Sequence, residues 1–312
     1  MKANKISIIG AGNVGAATAF SLMLNTVASE LIIVDIDNKR AEGEALDIYQ
    51  GTSLIAPTIV KAGSIADTID SDIVVITAGA AQKPGETRLD LVNKNIAIYK
   101  KLIPDIVIHN PNAILLVVSN PVDILTYITW KISGFSKERV IGSGTVLDTS
   151  RFKSSIAREF DIDARNVHGY IIGEHGDSEI AVWSRTSIGG ISFDDFLKSS
   201  HIKEKGFKER IAKEVKNAAY EIIQRKGYTN YAVAVAVTRI CRAILRDEKS
   251  ILTTSTYLNG QYKVHDVYLS TPTIISRKGV HQILEFDLAA EEQIAFEESA
   301  QIMKKILKES DL

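Results

Sequence analysis

A chain of 312 residues with 45% hydrophobic and 24% charged residues has the composition of an ordinary globular protein, which excludes disordered, collagenous and disulfide-stapled classes. Its 37 Lys and Arg against 38 Asp and Glu leave a formal net charge of -1, too balanced for a polyanion such as DNA to be the main partner. The single Cys241 excludes an intrachain disulfide and a Cys-x-x-Cys site, and points to a reducing compartment, with the cytoplasm as the expected location.

The start, Met1 to Gly12, reads as a charged starter, a short apolar run and a glycine turn rather than as a signal peptide. Short runs rich in Ile and Val then alternate with segments of helical period: Ile6–Ile9, Leu31–Asp35, Ile73–Thr77, Ile114–Ser119 and Val140–Ile141. Strands so continuously apolar are covered on both faces, which predicts a doubly wound parallel α/β sheet over residues 1–143. No apolar run approaches the ~18 residues that span a bilayer. From 144 to 312 the pattern changes. Strands expected at Tyr170–Ile172, Ala181–Ile188, Ile251–Leu258 and Val267–Ile275 are interleaved with helices at Phe207–Arg225 and Ala289–Lys308, which predicts a mixed α+β second domain. No Pro- or Ser-rich linker separates the halves, so a cleft between them is the expected active site.

Strand Ile6–Ile9 runs into Gly10-Ala11-Gly12-Asn13-Val14-Gly15 and then a helical segment, Ala16–Leu24, which is G-x-G-x-x-G in a strand-turn-helix setting. Gly10 permits the tight turn, Gly12 lets backbone approach a pyrophosphate, and Gly15 lets helix pack on strand. The helix N-terminus offers N–H groups and a partial positive charge to phosphate. Asp35 lies 20 positions after Gly15, where an acid hydrogen-bonds a ribose 2′-hydroxyl and repels a 2′-phosphate. NAD is therefore expected over NADP, on a Rossmann sheet. Arg40, beside Lys39, can line the adenosine end.

Four segments downstream carry a resemblance: Gln82-Lys83-Pro84-Gly85-Glu86-Thr87-Arg88, Ser119-Asn120-Pro121-Val122-Asp123, Leu147-Asp148-Thr149-Ser150-Arg151 and Gly173-Glu174-His175-Gly176-Asp177. Together, in order and along essentially the whole chain, they resemble the bacterial L-lactate dehydrogenases of the lactate/malate dehydrogenase family. The resemblance implies hydride transfer between NADH and pyruvate, with His175 as general acid and base and Asp148 as the carboxylate that fixes and charges its ring. Arg151, three residues after Asp148, is assigned to the substrate carboxylate, which a planar guanidinium binds through two parallel hydrogen bonds. By the same resemblance Arg88 sits on a lid over residues 80–88 and polarises the reacting carbonyl, and Asn120 contacts the nicotinamide ribose and substrate. Ser143, Val14, Gly79 and Ala80 line the cofactor, and Thr229 walls the substrate pocket.

Gln82 discriminates substrates, because related malate dehydrogenases carry Arg at the matching position. A dicarboxylate would bury an unpaired anion against the Gln82 amide, whereas pyruvate's methyl meets no such penalty. Pyruvate and L-lactate are therefore expected, with a malate or broader L-2-hydroxy-acid dehydrogenase as the alternative. A silent NAD-binding protein would keep the glycine motif without Arg88, Asp148, Arg151 and His175 together. No P-loop and no metal-ligand spacing of histidines is present, so no metal is expected. The resemblance also implies a homotetramer, and an effector site for fructose 1,6-bisphosphate at Lys153 and His168. Lys153 departs from the family's Arg there, keeping the charge but losing the fork, which leaves activation open.

Overall fold

The computed structural model describes residues 4–80, 85, 87–200 and 205–312. The first half consists of β1 (Lys5–Ile9), α1 (Asn13–Leu24), β2 (Glu30–Val34), α2 (Asn38–Gln50), β3 (Ile59–Ala62), β4 (Ile73–Ile76), α3 (Arg88–His109), β5 (Ile114–Val117), α4 (Val122–Ser133) and β6 (Val140–Gly142). These strands pair in parallel in the order β3-β2-β1-β4-β5-β6, so the winding direction reverses between β1 and β4. A crevice opens at such a reversal, beyond the carboxyl ends of the strands.

Alternate residues explain why helices wrap both sides. Ile6, Ile8, Ile73, Val75, Ile114 and Leu116 face one layer, packing with Leu22 and Met23 of α1 and Ile48 of α2. Ile9, Val74, Ile76, Leu115 and Val117 face the other, against Ile96 and Ile103 of α3 and Leu125 and Ile128 of α4. Neither sheet face meets water, so strict apolar strands are the stable choice.

The second half adds α5 (Val146–Phe160), β7 (Val167–His168), β8 (Ile171–Ile172), β9 (Ile180–Ala181), β10 (Ser187–Ile188), β11 (Ile191–Ser192), α6 (Phe193–Ser199), α7 (Phe207–Lys226), α8 (Tyr231–Leu245), β12 (Ser250–Asn259), β13 (His265–Ser276), β14 (Gly279–Ile283) and α9 (Ala290–Glu309). Its long strands β12, β13 and β14 extend the first sheet antiparallel beyond β6, making it nine-stranded, with Ser255 and Gly142 as the paired residues at the seam. A Cβ on Gly142 would lie 2.7 Å from that of Ser255, so glycine is what lets the two strands meet. A smaller core of Phe152, Ile156, Phe193, Phe207, Ile211 and Val215 holds α5, α6 and α7 together. Residues 181–188 do not form the single strand expected of them. The chain leaves β9, makes a 3-10 turn at Trp183–Arg185 and only then enters β10. Trp183 turns inward edge-on to Phe152, with ring centroids 4.7 Å apart, while the amide and hydroxyl of Ser184 bond the Glu292 carboxylate. No helix among the described residues is long and apolar enough to cross a membrane.

Candidate active site

The crevice at the β1–β4 reversal is built by the glycine turn. Gly10 has φ +109°, and a Cβ on Gly15 would lie 1.8 Å from the Gly10 carbonyl oxygen, so both positions exclude side chains. A Cβ on Gly12 would meet nothing within 4 Å, which leaves open space over this backbone. Gly12 caps α1 without a side-chain hydrogen bond, so the first amides of the helix, Val14 among them, point free N–H groups outward. Asp35 follows β2, and its carboxylate accepts from the amides of Ala11 at 2.6 Å and Asp37 at 2.9 Å, tying the turn to the strand end while keeping lone pairs for a ribose. Arg40 lies in the exposed first turn of α2. On the far wall the Ala80 amide donates to Asn95 Oδ1 at 2.7 Å, beside exposed Gly79, and Asn95 Nδ2 donates to the Asn120 carbonyl at 3.3 Å. Ser143 closes the row after β6, its amide donating to Val117. An open glycine backbone, an uncapped helix start and an acid at the second strand's end fit a dinucleotide.

The reactive cluster lies on α5 and on the loop between β8 and β9. Asp148 and Arg151 sit one turn apart on α5, which begins at Val146 after Thr145, so Asp148 is inside the helix rather than its cap. Asp148 is buried and divides its oxygens: Oδ2 accepts from His175 Nδ1 at 2.5 Å, and Oδ1 accepts from Arg151 Nη1 at 2.8 Å. Burial pulls the His175 imidazole down, but the charge and hydrogen bond of Asp148, with Asp123 and Glu179 behind them, overcome it and push the ring up to about 9. Burial opposes the charge on Asp148, yet His175 and Arg151 together hold it below its ordinary value. The His175 side chain is 24% exposed and that of Arg151 is 14% exposed, so both reach the cleft.

The loop presenting His175 is fixed from four sides. Gly173, at φ +88°, exchanges two backbone hydrogen bonds with Ser270 of β13. Glu174, buried, accepts from Ser178 Oγ at 2.5 Å while its amide donates to Ser299 of α9. Asp177 accepts from Tyr220 of α7 at 3.0 Å. Asp123, in the first turn of α4, accepts from the His175 amide at 2.8 Å and from Ser255 Oγ at 2.6 Å. Asp123 received no role from sequence beyond its place at the end of the Ser119–Asp123 segment. Nothing local signals a partner 52 residues away.

Thr229 lies half-buried in the link between α7 and α8. Gln82 lies outside the described residues. Arg88 is the first residue of α3 rather than part of a loop: Thr87 and Asp90 cap the helix reciprocally, Thr87 Oγ1 accepting from the Asp90 amide at 3.1 Å and Asp90 Oδ2 accepting from the Thr87 amide at 3.0 Å. Lys153 and His168 share a separate cavity of about 420 Å³ with Arg165, Tyr170 and Arg239. Burial lowers the Lys153 ammonium below its ordinary range.

Comparison with known proteins meets this geometry along the full chain. Residues 4–142 match the NAD binding domain of lactate/malate dehydrogenase, and residues 145–311 match the family's alpha/beta C-terminal domain. The L-lactate dehydrogenase of Clostridium perfringens is 58% identical over 312 residues, covering 100% of this chain and 98% of its own. L-lactate dehydrogenase 1 of Clostridium acetobutylicum is 57% identical over 309 residues, covering 98% and 99%. The solved structure of minor L-lactate dehydrogenase from Enterococcus mundtii, in a ligands-bound form, superposes with a TM-score of 0.96 at 41% identity over 99% of both chains. The first half of the molecule is thus an NAD-binding domain, and the chain belongs to the lactate/malate dehydrogenase family.

Proposed function

We propose that this chain is an NAD-dependent L-lactate dehydrogenase, interconverting pyruvate and L-lactate. The observation that carries the reading is the Asp148 carboxylate shared between His175 and Arg151. With Nδ1–H held by Asp148, Nε2 is the nitrogen that gives a proton to the substrate carbonyl oxygen during reduction and takes it back from the hydroxyl during oxidation. A ring that titrates at about 9 is imidazolium at neutral pH, ready to act as the acid. Arg151 spends Nη1 on Asp148, and its other nitrogens have no partner among the described residues, so they receive the substrate carboxylate. Arg88 polarises the carbonyl, and Asn120 and Thr229 line the substrate. NAD, when bound, supplies the hydride acceptor or, reduced, its donor. Gly10, Gly12, Val14 and Gly15 cradle its phosphates, Asp35 and Arg40 hold the adenosine side, and Gly79, Ala80, Asn120 and Ser143 hold the nicotinamide side.

Gln82 carries the choice of pyruvate over oxaloacetate, since a neutral amide offers no charge to a second carboxylate. This reading places residues 1–143 on the cofactor and 144–312 on the substrate, in a cytoplasmic homotetramer. Fructose 1,6-bisphosphate is assigned to the cavity of Lys153 and His168, where Arg165 and Arg239 are already engaged by Asp163 and Glu248. The test mixes purified protein with NADH and follows its absorbance with pyruvate or oxaloacetate, each with and without the bisphosphate. A higher kcat/KM for pyruvate is expected. Preference for oxaloacetate, or no oxidation with either, overturns the reading.

A further inference from the structure

Ser299, midway along α9, carries a fully buried hydroxyl that the mechanism leaves unused. It accepts from the amide of Glu174, the residue directly before His175, at 3.0 Å. Its Oγ also lies 2.9 Å from Ser178 Oγ, and Ser178 donates its hydroxyl to Glu174 Oε2 at 2.5 Å. A hydroxyl has one hydrogen, so Ser178 spends its own on the carboxylate and accepts from Ser299. The bonds close into a directed cycle, from the Glu174 amide to Ser299, from Ser299 to Ser178 and from Ser178 back to Glu174, which ties together the chain before and after His175. The cycle is pressed against the loop it serves: a Cβ on Gly173 would lie 3.1 Å from Ser299 Oγ, and one on Gly176 would lie 2.9 Å from Glu174 Oε1. Its platform is firm, because Phe296, Ala300 and Met303 of α9 share a core with Ile172 and Ile180, the residues that end β8 and begin β9.

We propose that Ser299 is a positioning residue that holds the His175 imidazole at hydrogen-bonding distance from Asp148, acting through the Glu174 backbone. This rests on the reading of His175 as the general acid and base. The two amides that lead into the imidazole are tied to different elements, Glu174 to α9 and His175 to Asp123 of α4, so the place of the side chain over α5 is set by where those elements stand. The separation of 2.5 Å between His175 Nδ1 and Asp148 Oδ2 leaves little slack. A displacement of about 0.5 Å is enough to turn a short charge-assisted bond into an ordinary one. Without the Ser299 hydroxyl the Glu174 amide is a buried donor with its acceptor gone, and it regains one only by shifting the loop. Such a shift moves His175 and leaves Arg151 on α5 and the glycine turn where they are.

Ser299→Ala and Ser178→Ala are compared with the native protein in pyruvate reduction at saturating NADH from about pH 6 to about pH 10, with rates expressed per NADH-binding site so that unfolded chains do not count. In Ser299→Ala kcat falls about tenfold, as for other groups that orient a reactive side chain, while the Kd for NADH, titrated by fluorescence, does not change. The charge of His175 faces Asp148 on α5, Asp123 on α4 and Glu179 in its own loop, with Arg151 beyond Asp148. Weakening the Asp148 contact lets the imidazolium lose its proton below the native value of about 9, so the alkaline fall in kcat/KM for pyruvate starts at lower pH. Ser178→Ala opens the cycle but keeps the bond from Glu174 to Ser299, and it moves both readouts in the same direction by less. Where Ser299→Ala yields no NADH-binding sites, Ser178→Ala carries the test alone. A serine that only stabilises the fold would lower Tm and leave kcat per site and the pH profile native; that result in a variant that binds NADH overturns the proposal. No pyruvate reduction by the native protein overturns instead the functional reading on which it rests.

Discussion

Asp148 serves two cations with one buried carboxylate, and that sharing sets the chemistry at the scale of the residue. Asp148→Asn keeps the size and one acceptor but removes the charge, so the imidazolium loses its main support and Arg151 its counter-ion. Pyruvate reduction should fall about 10²- to 10⁴-fold in kcat, with the His175 titration moving to lower pH. Steady-state rates and a ring-resonance NMR titration check this; an unmoved titration would contradict the assigned role. His175, Asp148 and Arg151 were legible in sequence because each lies in a short motif whose neighbours define its setting. Asp123 and Glu179 were not, because folding alone brings one to the His175 amide from α4 and buries the other against α7.

Among elements, the β1–α1 turn is the most constrained by its backbone. Gly15→Ala would drive a methyl into the Gly10 carbonyl, and the turn has no slack because the Gly10 amide donates to Val34 and its carbonyl accepts from Thr77 Oγ1. A loss of about 1–3 kcal/mol from overpacking is expected, together with weakened NAD binding. Chemical denaturation and cofactor titration by fluorescence measure the two; unchanged values in both would show that the turn can yield. The apolar strands β1, β2, β4 and β5 and the glycine turn were readable because continuous Ile and Val runs leave few alternatives. The break after β9 was not. Trp183 suits a strand by propensity, and only its packing on Phe152 shows that the chain turns there. Arg88 was read as loop because Pro84 and Gly85 precede it, whereas the Thr87–Asp90 capping box starts α3 at that residue.

Across the whole molecule, the buried charges tie stability to pH. Folding raises His175, so its contribution is complete below the ordinary value of 6.5 and is lost as pH rises through about 9. Folding also raises Glu179, whose contribution is complete below 4.5 and is lost as pH rises through about 8. Asp148 is held down, so its contribution is present above 3.8 and disappears as pH falls below that value. The Tm should therefore decline from mildly acidic to alkaline solution, and decline less in Glu179→Gln. A thermal shift series across that range tests it, and a Tm that climbs with pH would contradict the assignment.

The seam between β6 and β12 has a further consequence for how such a chain diversifies. Gly142 of β6 pairs directly with Ser255 of β12, so the two halves are stitched through backbone rather than joined by a tether. Cutting there would leave β6 and β12 as bare edges primed for intermolecular pairing. The halves are consequently poor candidates for shuffling with foreign partners. Variation in this architecture is channelled into the loops at the strand ends, where a single exchanged side chain can redirect what is bound without disturbing the shared sheet.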